Sequence, residues 1–584
     1  MEKFNVIVIG AGHAGCEAAL ACARMGQTAL LVTMNLDAIA QMSCNPAIGG
    51  IAKGQMVREL DALGGEMGKV TDEAGLQFRM LNMSRGPAVW SPRAQCDKRL
   101  YSLSMKNRLE SQPNLKILQA EATRIIIESG KTAGIETKTG TVINSDSVIL
   151  TAGTFLKGLI HVGLTHFSGG RFGELSSETL SDSLKALGFE IKRLKTGTPP
   201  RLNGRTIDFS KMKEQPGDNP PIPFSHFTNT QEFKNKLQLA CWLTYTNKTT
   251  HDIINSNLDR SPLYQGVIKG IGPRYCPSIE DKIVRFAERE RHQVFLEPEG
   301  FGTHEFYANG ISTSLPEDVQ EKIVHSIVGL ENTQIIRYGY AIEYDFFPPT
   351  QLKSTLETKA VENLYFAGQV NGTTGYEEAA AQGLMAGINC ALKLKGKEPF
   401  ILNRDEAYIG VMIDELITRG VDEPYRMFTA RAEYRLMLRS DNADLRLMDH
   451  GHSTGLINDE QFSRFDNYRK ALADRLDGKE TEMKEELLFP WTKEKIDFEV
   501  EVDKKYAPYI LRQKEVIEKT GKLENKRLPE NVNYDSMTGL LTEAKQRLNR
   551  VRPATIGQAS RIPGVTPADI AVVLINLAKE KAGK

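Results

Sequence analysis

The sequence predicts an α/β fold of the Rossmann, dinucleotide-binding type, with an inserted α/β region and a C-terminal all-helical domain. Three observations carry that expectation. A strand runs into a glycine turn and a helix at the start of the chain. Two more apolar strands end in glycine near residues 150 and 368. After about residue 400 the sequence turns charged and helical. Phe4 to Ile9 is a β-branched apolar run of the kind buried on both faces of a parallel sheet. It stops at Gly10-Ala11-Gly12-His13-Ala14-Gly15, where Gly10 permits the tight turn, Gly12 leaves room for a pyrophosphate and Gly15 lets the next helix pack closely. Cys16 to Met25 reads as that helix, its free N–H groups and positive dipole end turned to the phosphates. Gly26 stops it, and Thr28 to Thr33 is the second strand. That strand lacks the acidic residue that normally binds the ribose hydroxyls, so Asp37 or the backbone near Thr33 is expected to serve instead. Val6 to Ala23 has only Lys3 as a basic leader and is interrupted by His13 and Glu17, which argues against a signal peptide or a membrane span of roughly 20 apolar residues.

Leu115 to Ile127 and Thr137 to Ile143 alternate like paired strands, and Asp146 to Thr154 is a buried strand ending in glycine. Asn363 to Gln369 runs into the glycine loop Asn371 to Gly375 and then the Ala-rich helix Tyr376 to Lys393. That helix aims a second N-terminus at the cofactor, where partial positive charge stabilises electron density on a reduced flavin. Three such turns point to FAD, since NAD needs only the first, and the expected fold becomes a glutathione-reductase-like FAD-binding domain. Its first part spans residues 1–204, a turn-rich insertion 205–345, its closing part 346–400 and the helical domain 401–584.

With 584 residues, 40% of them hydrophobic, the chain supports two to four domains. Its seven cysteines are odd in number, scattered and without a CxxC pair, which excludes a disulfide framework and a zinc site and fits a reducing cytoplasm. No metal is expected. Lys plus Arg equals Asp plus Glu at 74 each, so a polyanion must meet a local basic patch. Neither a later membrane span nor a sequence repeat is found.

Gln41 to Gly54 is a Gly- and Pro-punctuated loop too long for a simple connection, and it holds Cys44, either a reachable thiolate beside the cofactor or a half-buried structural thiol. Cys276 sits between Tyr275 and Pro277, close to Arg274, whose guanidinium would lower a thiol pKa or hold a phosphate; a turn with a buried Cys is the alternative. Arg171, in Ser168-Gly-Gly-Arg-Phe-Gly173, faces a phosphate or ends an ordinary glycine turn. Arg431, Arg435 and Arg439 stand at i, i+4 and i+8, along one face if the segment is helical, with Tyr434 nearby. Such a stripe suits an RNA backbone, although salt bridging is the commoner use. Ile556 to Ile570 reads as helix, Pro-Gly hairpin, helix, a phosphate-binding or packing unit.

Together, the Gly10–Gly15 motif, Gln41 to Gly50, Gly272 to Asp281, Gly368 to Glu378, the Arg431 segment and Tyr506 to Gln513 closely resemble the MnmG (GidA) family of bacterial tRNA uridine 5-carboxymethylaminomethyl modification enzymes, over essentially the whole chain. The resemblance implies a cytoplasmic homodimeric FAD enzyme that works with the GTPase MnmE, as a heterotetramer of two dimers, on the wobble uridine of tRNA. It implies methylenetetrahydrofolate as one-carbon donor, glycine or ammonium as amine, and NADH as reductant. It assigns FAD to the Gly10–Gly15 motif with Ala122, Ser177 and Gln369, and the nicotinamide region to Gly272 to Phe286, including Pro273, Arg274, Tyr275 and Phe286, although no clean strand precedes those glycines. The region from about 401 onward would meet MnmE and tRNA, with Arg171, Arg431, Arg435 and Arg439 as tRNA candidates. Carbon 5 of uracil is a poor nucleophile until a thiolate adds to carbon 6, so a cysteine is needed; Cys44 and Cys276 are the candidates, their roles interchangeable at this level. The base must also leave the anticodon stack, at a cost of a few kcal/mol. Competing readings are a folate- and FAD-dependent tRNA methyltransferase, a flavoprotein dehydrogenase of a small metabolite, and a non-catalytic flavin-stabilised RNA-binding scaffold.

Overall fold

A computed structural model describes residues 3–275, 277–479, 492–524 and 526–582. Numbering strands in chain order, the main sheet comprises β1 (Phe4–Ile9), β2 (Ala29–Thr33), β6 (Leu115–Gln119), β7 (Ala122–Glu128), β8 (Lys131–Thr137), β9 (Val142–Leu150) and β20 (Leu364–Phe366). Their order is β6-β2-β1-β9-β8-β7, with β20 also on β9. β1 runs parallel to both neighbours, with Val6 opposite Ala29 on one side and Ser147 on the other. Ile7 and Val8 are fully buried, each stabilising the core by roughly 1.5–3 kcal/mol. The first helix, α1 (His13–Arg24), packs against the long helix Tyr376–Leu394. Side chains at Gly383 and Gly387 would strike the carbonyls of Ala14 and Ala18, so glycine there lets the two backbones touch.

The stretch from 115 to 127 is not a single strand. It breaks at Ala120 and Glu121: β6 joins β2 in parallel, whereas β7, β8 and the first part of β9 form an antiparallel meander. The stretch 137–143 holds the end of β8, a turn with Gly140 at φ +80°, and the start of β9. Its alternation reflects one face turned to solvent, which both arrangements share.

Two smaller sheets flank this core. β3 (Ala47–Gly49), β4 (Gly75–Leu81) and β5 (Ser91–Cys96) pair in the order β3-β5-β4, beside α2 (Lys53–Ala62). β10 (Leu159–Val162), β11 (Thr165–Ser168), β12 (Lys192–Thr198) and β19 (Tyr340–Phe346) pair in the order β11-β10-β19-β12. The insertion is more regular than its turn-rich sequence suggests. β13 (Arg201–Asn203), β14 (Lys213–Gln215), β15 (Cys241–Tyr245), β16 (Gln293–Pro298), β17 (Glu305–Asn309) and β18 (Ile335–Arg337) form an antiparallel sheet, order β14-β15-β16-β17-β13-β18. It has its own core around Leu202, Leu296 and Ile323. This sheet starts just before residue 205, and β19 already belongs to the neighbouring sheet.

Beyond 400 the described chain is helical. Helices Tyr408–Arg419, Ala443–Thr454 and Asp459–Leu476 and the start of Lys493–Glu524 add Leu416, Leu447, Phe465 and Ile496 to the main core. Residues 528–577 close over a separate core that includes Tyr534, Leu548, Ile556 and Val573. Among the described residues, no helix is long and apolar enough to cross a membrane, and no group of three or more His, Cys, Asp or Glu is placed to hold a metal.

Candidate functional site

Three strands of the parallel sheet, β1, β9 and β20, end side by side, and each runs into a glycine turn. Gly10, at φ +100°, and Gly368, at φ +86°, adopt backbone that favours glycine. Thr151 Oγ1 lies 2.9 Å from the carbonyl oxygens of both Ile9 and Gly10, tying the first turn to the second. A side chain on Gly15 would strike the Gly10 carbonyl, whereas one on Gly12 would meet nothing within 4 Å. Gly12 also caps α1 without a side-chain hydrogen bond. The first N–H groups of α1 therefore face open space, the arrangement that cradles a pyrophosphate. Ser177 borders the second turn, its N–H donating to Phe155 O at 2.8 Å, and its buried hydroxyl has no hydrogen-bond partner among the described residues. Gln369 lies in the turn that follows β20, with its Oε1 facing Gly153 of the second turn, and Ala122 is buried at the start of β7, just past the same edge of β6. These features fit a dinucleotide. Asp37 instead has an exposed side chain that faces Lys106 at 3.3 Å.

His13 leads from this cradle to the thiol loop. It is buried between Tyr101 and Tyr376, with ring centroids 5.5 and 4.5 Å away, and neither ring nitrogen has a hydrogen-bond partner among the described residues. Burial, helped by the Arg171 charge, pulls its pKa down to about 3, so the ring is neutral at neutral pH. The Tyr376 hydroxyl accepts the Cys44 N–H at 2.8 Å. Cys44 Sγ lies 3.0 Å from the Tyr307 hydroxyl and 3.9 Å from Gly197 O. Above Tyr307, 4.8 Å from its centroid, lies the Arg201 guanidinium, which donates to Ser43 O at 2.9 Å and Cys44 O at 3.3 Å and pairs with Glu299 at 3.0 Å. Asn45 reaches Glu297 at 2.8 Å, itself paired with Arg93 at 2.6 Å. Cys44 thus sits half-buried where the glycine-turn domain, the Tyr376 helix and the inserted sheet meet. At the start of that helix Glu377 and Glu378 hold buried Lys53 at 2.8 and 3.0 Å, and Glu377 accepts the Gly49 N–H at 2.7 Å.

Sequence reasoning missed Tyr307, Arg201 and Tyr376 as the surroundings of Cys44. Tyr307 and Arg201 lie more than 150 residues away and only strand pairing brings them in. Tyr376 opens a helix that the sequence marks by its preceding glycine loop, not by its first aromatic side chain.

Arg171 joins this site: it donates to the Gln41 side chain, lies 3.4 Å from Glu174 and covers the Phe155 ring at 5.6 Å. Gly272 to Tyr275 follows an Ile271 bridge to Leu194 on β12, and Gly272 lies against Lys195, two residues from the Gly197 carbonyl at the thiol. The Tyr275 ring packs on Phe428 at 4.5 Å, with Arg274 5.9 Å above it. Phe286 is exposed at the end of helix Ile279–Arg285, under Arg289. Cys276 lies outside the described residues.

The expected arginine stripe needs correction. Thr429–Arg431 is a single 3₁₀ turn, and extended Ala432, at φ −91° and ψ 106°, ends it, so the three arginines share no helix face. Arg431 pairs with Glu415 at 2.9 Å and covers Tyr425. Arg439 is buried and bound to Asp441 and Asp503 at 2.8 Å and Glu499 at 3.3 Å, which removes it from any RNA backbone. Buried carboxylates on neighbouring helices claim these side chains. Arg435 is exposed.

A glycine cradle at the carboxyl edge of a parallel sheet, with a thiol loop beside it, defines an α/β protein of the dinucleotide-binding class. Residues 5–398 match the family described as glucose inhibited division protein A, and residues 516–584 match the tRNA modifying enzyme MnmG/GidA C-terminal helical bundle. The chain belongs to the MnmG (GidA) family. It is 56% identical, over 99% of its length and 98% of the relative's, to a protein of Endomicrobium trichonymphae named tRNA uridine 5-carboxymethylaminomethyl modification enzyme MnmG. A protein of the same name from Thermodesulfovibrio yellowstonii is 54% identical, over 100% and 99% of the two chains. The solved structure of Aquifex aeolicus GidA (form I crystal) superposes with a TM-score of 0.92 at 51% identity, covering 99% of this chain and 100% of that one.

Proposed function

We propose that the protein is a FAD-dependent tRNA-modifying enzyme that installs a carboxymethylaminomethyl or aminomethyl group at carbon 5 of the wobble uridine. The observation that carries this reading is Cys44, held by Tyr376 and Tyr307 one ring away from the His13 of the dinucleotide cradle. FAD fits the cradle: Gly10, Ala11, Gly12, His13, Ala14 and Gly15 would hold its pyrophosphate, with Ala122, Ser177 and Gln369 beside it. Bound flavin supplies two-electron redox chemistry. Methylenetetrahydrofolate as one-carbon donor, glycine or ammonium as amine and NADH as reductant complete the reaction. The Gly272 to Tyr275 segment and Phe286 are the proposed nicotinamide region.

The chain's own residues account for the activation of uracil. The Cys44 proton leaves to solvent, and the Tyr307 O–H donates to the thiolate that remains. Sγ bonds to carbon 6 while the displaced electron pair moves onto the carbon 4 oxygen, and carbon 5 then attacks the electrophilic carbon. Loss of the carbon 5 proton re-forms the double bond and expels the thiolate. Arg201 fixes the loop through the Ser43 and Cys44 carbonyls. Cys276 is the second proposed thiol. Exposed Arg435, with Arg171 and Arg431 in lesser part, is proposed to meet tRNA. The protein acts in the cytoplasm as a homodimer that joins a dimer of MnmE in a heterotetramer. Cys44→Ser is expected to keep bound flavin and lose tRNA modification, scored by mass analysis of digested nucleosides; full activity in that variant refutes the thiol's role.

A further inference from the structure

Away from Cys44, a cavity of about 440 Å³ opens where α2, β4, Trp90, the 220–226 segment and the start of helix Lys493–Glu524 meet. One wall is aromatic. Trp90 and Phe498 stack with centroids 5.5 Å apart and planes 19° from parallel, and the indole N–H donates to Arg85 O at 2.9 Å, which fixes the ring. Ile222, 46% exposed, stands at the mouth. Arg58 of α2 also lines the cavity. It is 9% exposed, makes no hydrogen bond or ion pair among the described residues, and its buried Nε has no acceptor. The other buried or half-buried charges there are matched. Asp441 takes Arg439 at 2.8 Å, Glu499 takes Arg439 at 3.3 Å and Lys495 at 3.4 Å, Lys495 reaches Asp444 at 3.0 Å, and His226 pairs with Asp61 at 2.8 Å. Lys234 and Glu494 are exposed at the rim.

We propose that this cavity binds a small aromatic carboxylate, its carboxylate forked on Arg58 and its ring against Trp90 and Phe498. A guanidinium's planar donors match a carboxylate in two parallel hydrogen bonds, and a buried guanidinium without a partner gains one without giving up another. The volume suits a small ligand. With Asp441 and Glu499 already paired, Arg58 is the one buried unmatched cation among the described lining residues, which suits an occupant with one negative charge rather than a phosphate chain. Trp90 precedes β5, whose Arg93 pairs with Glu297, the partner of Asn45 beside Cys44; Cys44, Tyr307 and Tyr376 do not line the cavity.

Isothermal titration of the full-length protein with benzoate and with indole-3-acetate tests this, with benzamide and acetate as controls. The expected result is saturable one-to-one binding of an aromatic carboxylate at submillimolar concentration, about tenfold or more weaker for the neutral amide and for acetate, and weakened about tenfold or more by Arg58→Met. Because Arg58 is buried, the exposed Ile222→Glu provides a second arm: a carboxylate at the mouth is expected to weaken binding several-fold without touching the core. Absence of saturable binding, equal binding of benzamide, or binding that both variants leave unchanged overturns the proposal.

Discussion

At the residue scale, Cys44 is defined by two hydroxyls. Tyr307→Phe removes the hydroxyl that lies 3.0 Å from Cys44 Sγ and keeps the ring under Arg201. Alkylation of Cys44 by iodoacetamide, followed on the Cys44 peptide by mass spectrometry, is expected to slow several-fold near neutral pH; an unchanged rate denies Tyr307 a part in stabilising the thiolate. Buried ionisable groups give the fold a pH signature of two signs. His13, pulled down to about 3 chiefly by burial, is far below the unfolded value near 6.5. Its contribution is full above about pH 6.5 and is lost as pH falls toward 3. Glu17 is pushed up to about 7 by burial and then by Glu66, so its contribution is full below the ordinary value of 4.5 and is lost as pH rises through 7. Asp72, raised to about 7 by burial, adds the same sign. Glu17→Gln keeps an acceptor for the Glu66 and Met67 N–H groups and is expected to reduce the fall in urea midpoint between pH 5 and 8. A fall as steep as in the unsubstituted protein contradicts the assignment.

At the element scale, the glycine turn separates packing from ligand binding. Gly15→Ala drives a methyl into the Gly10 carbonyl and must push α1 off β1, at a cost of about 1–3 kcal/mol. Gly12→Ala meets no protein atom and has extended backbone, so its stability is expected to stay within about 0.5 kcal/mol while bound flavin, read from visible absorbance, is lost. Retention of flavin by Gly12→Ala would contradict the cradle. This element was legible in the sequence because strand, glycines and helix are contiguous, and Tyr376–Leu394 was legible for the same reason. Tyr307, Arg201 and the Arg58 cavity were not, because each needs strands or helices far apart in the chain to be brought together. The Arg431 to Arg439 spacing misled, because i, i+4 periodicity says nothing about an extended residue such as Ala432 or about carboxylates waiting on other helices.

At the scale of the whole molecule, the last 57 described residues carry their own core and meet the rest through polar contacts. Arg561 pairs with Asp414 at 2.7 Å and with Glu524, Arg550 reaches Glu190 at 2.9 Å, and Lys359 donates to Val551 O at 2.5 Å. A chain ending at Glu524 is therefore expected to fold and bind flavin, yet to lose tRNA modification if this bundle meets tRNA and MnmE; retained modification would place those contacts elsewhere. The central claim is that the thiol beside the dinucleotide cradle modifies uridine in tRNA. The most direct measurement is nucleoside mass analysis of tRNA incubated with this protein, the GTPase MnmE, methylenetetrahydrofolate, glycine or ammonium, and NADH, with the Cys44→Ser variant in parallel. A mass gain on uridine with the unsubstituted protein, and none with a variant that still holds its flavin, is the expected result; no gain with the first, or an equal gain with both, would contradict it.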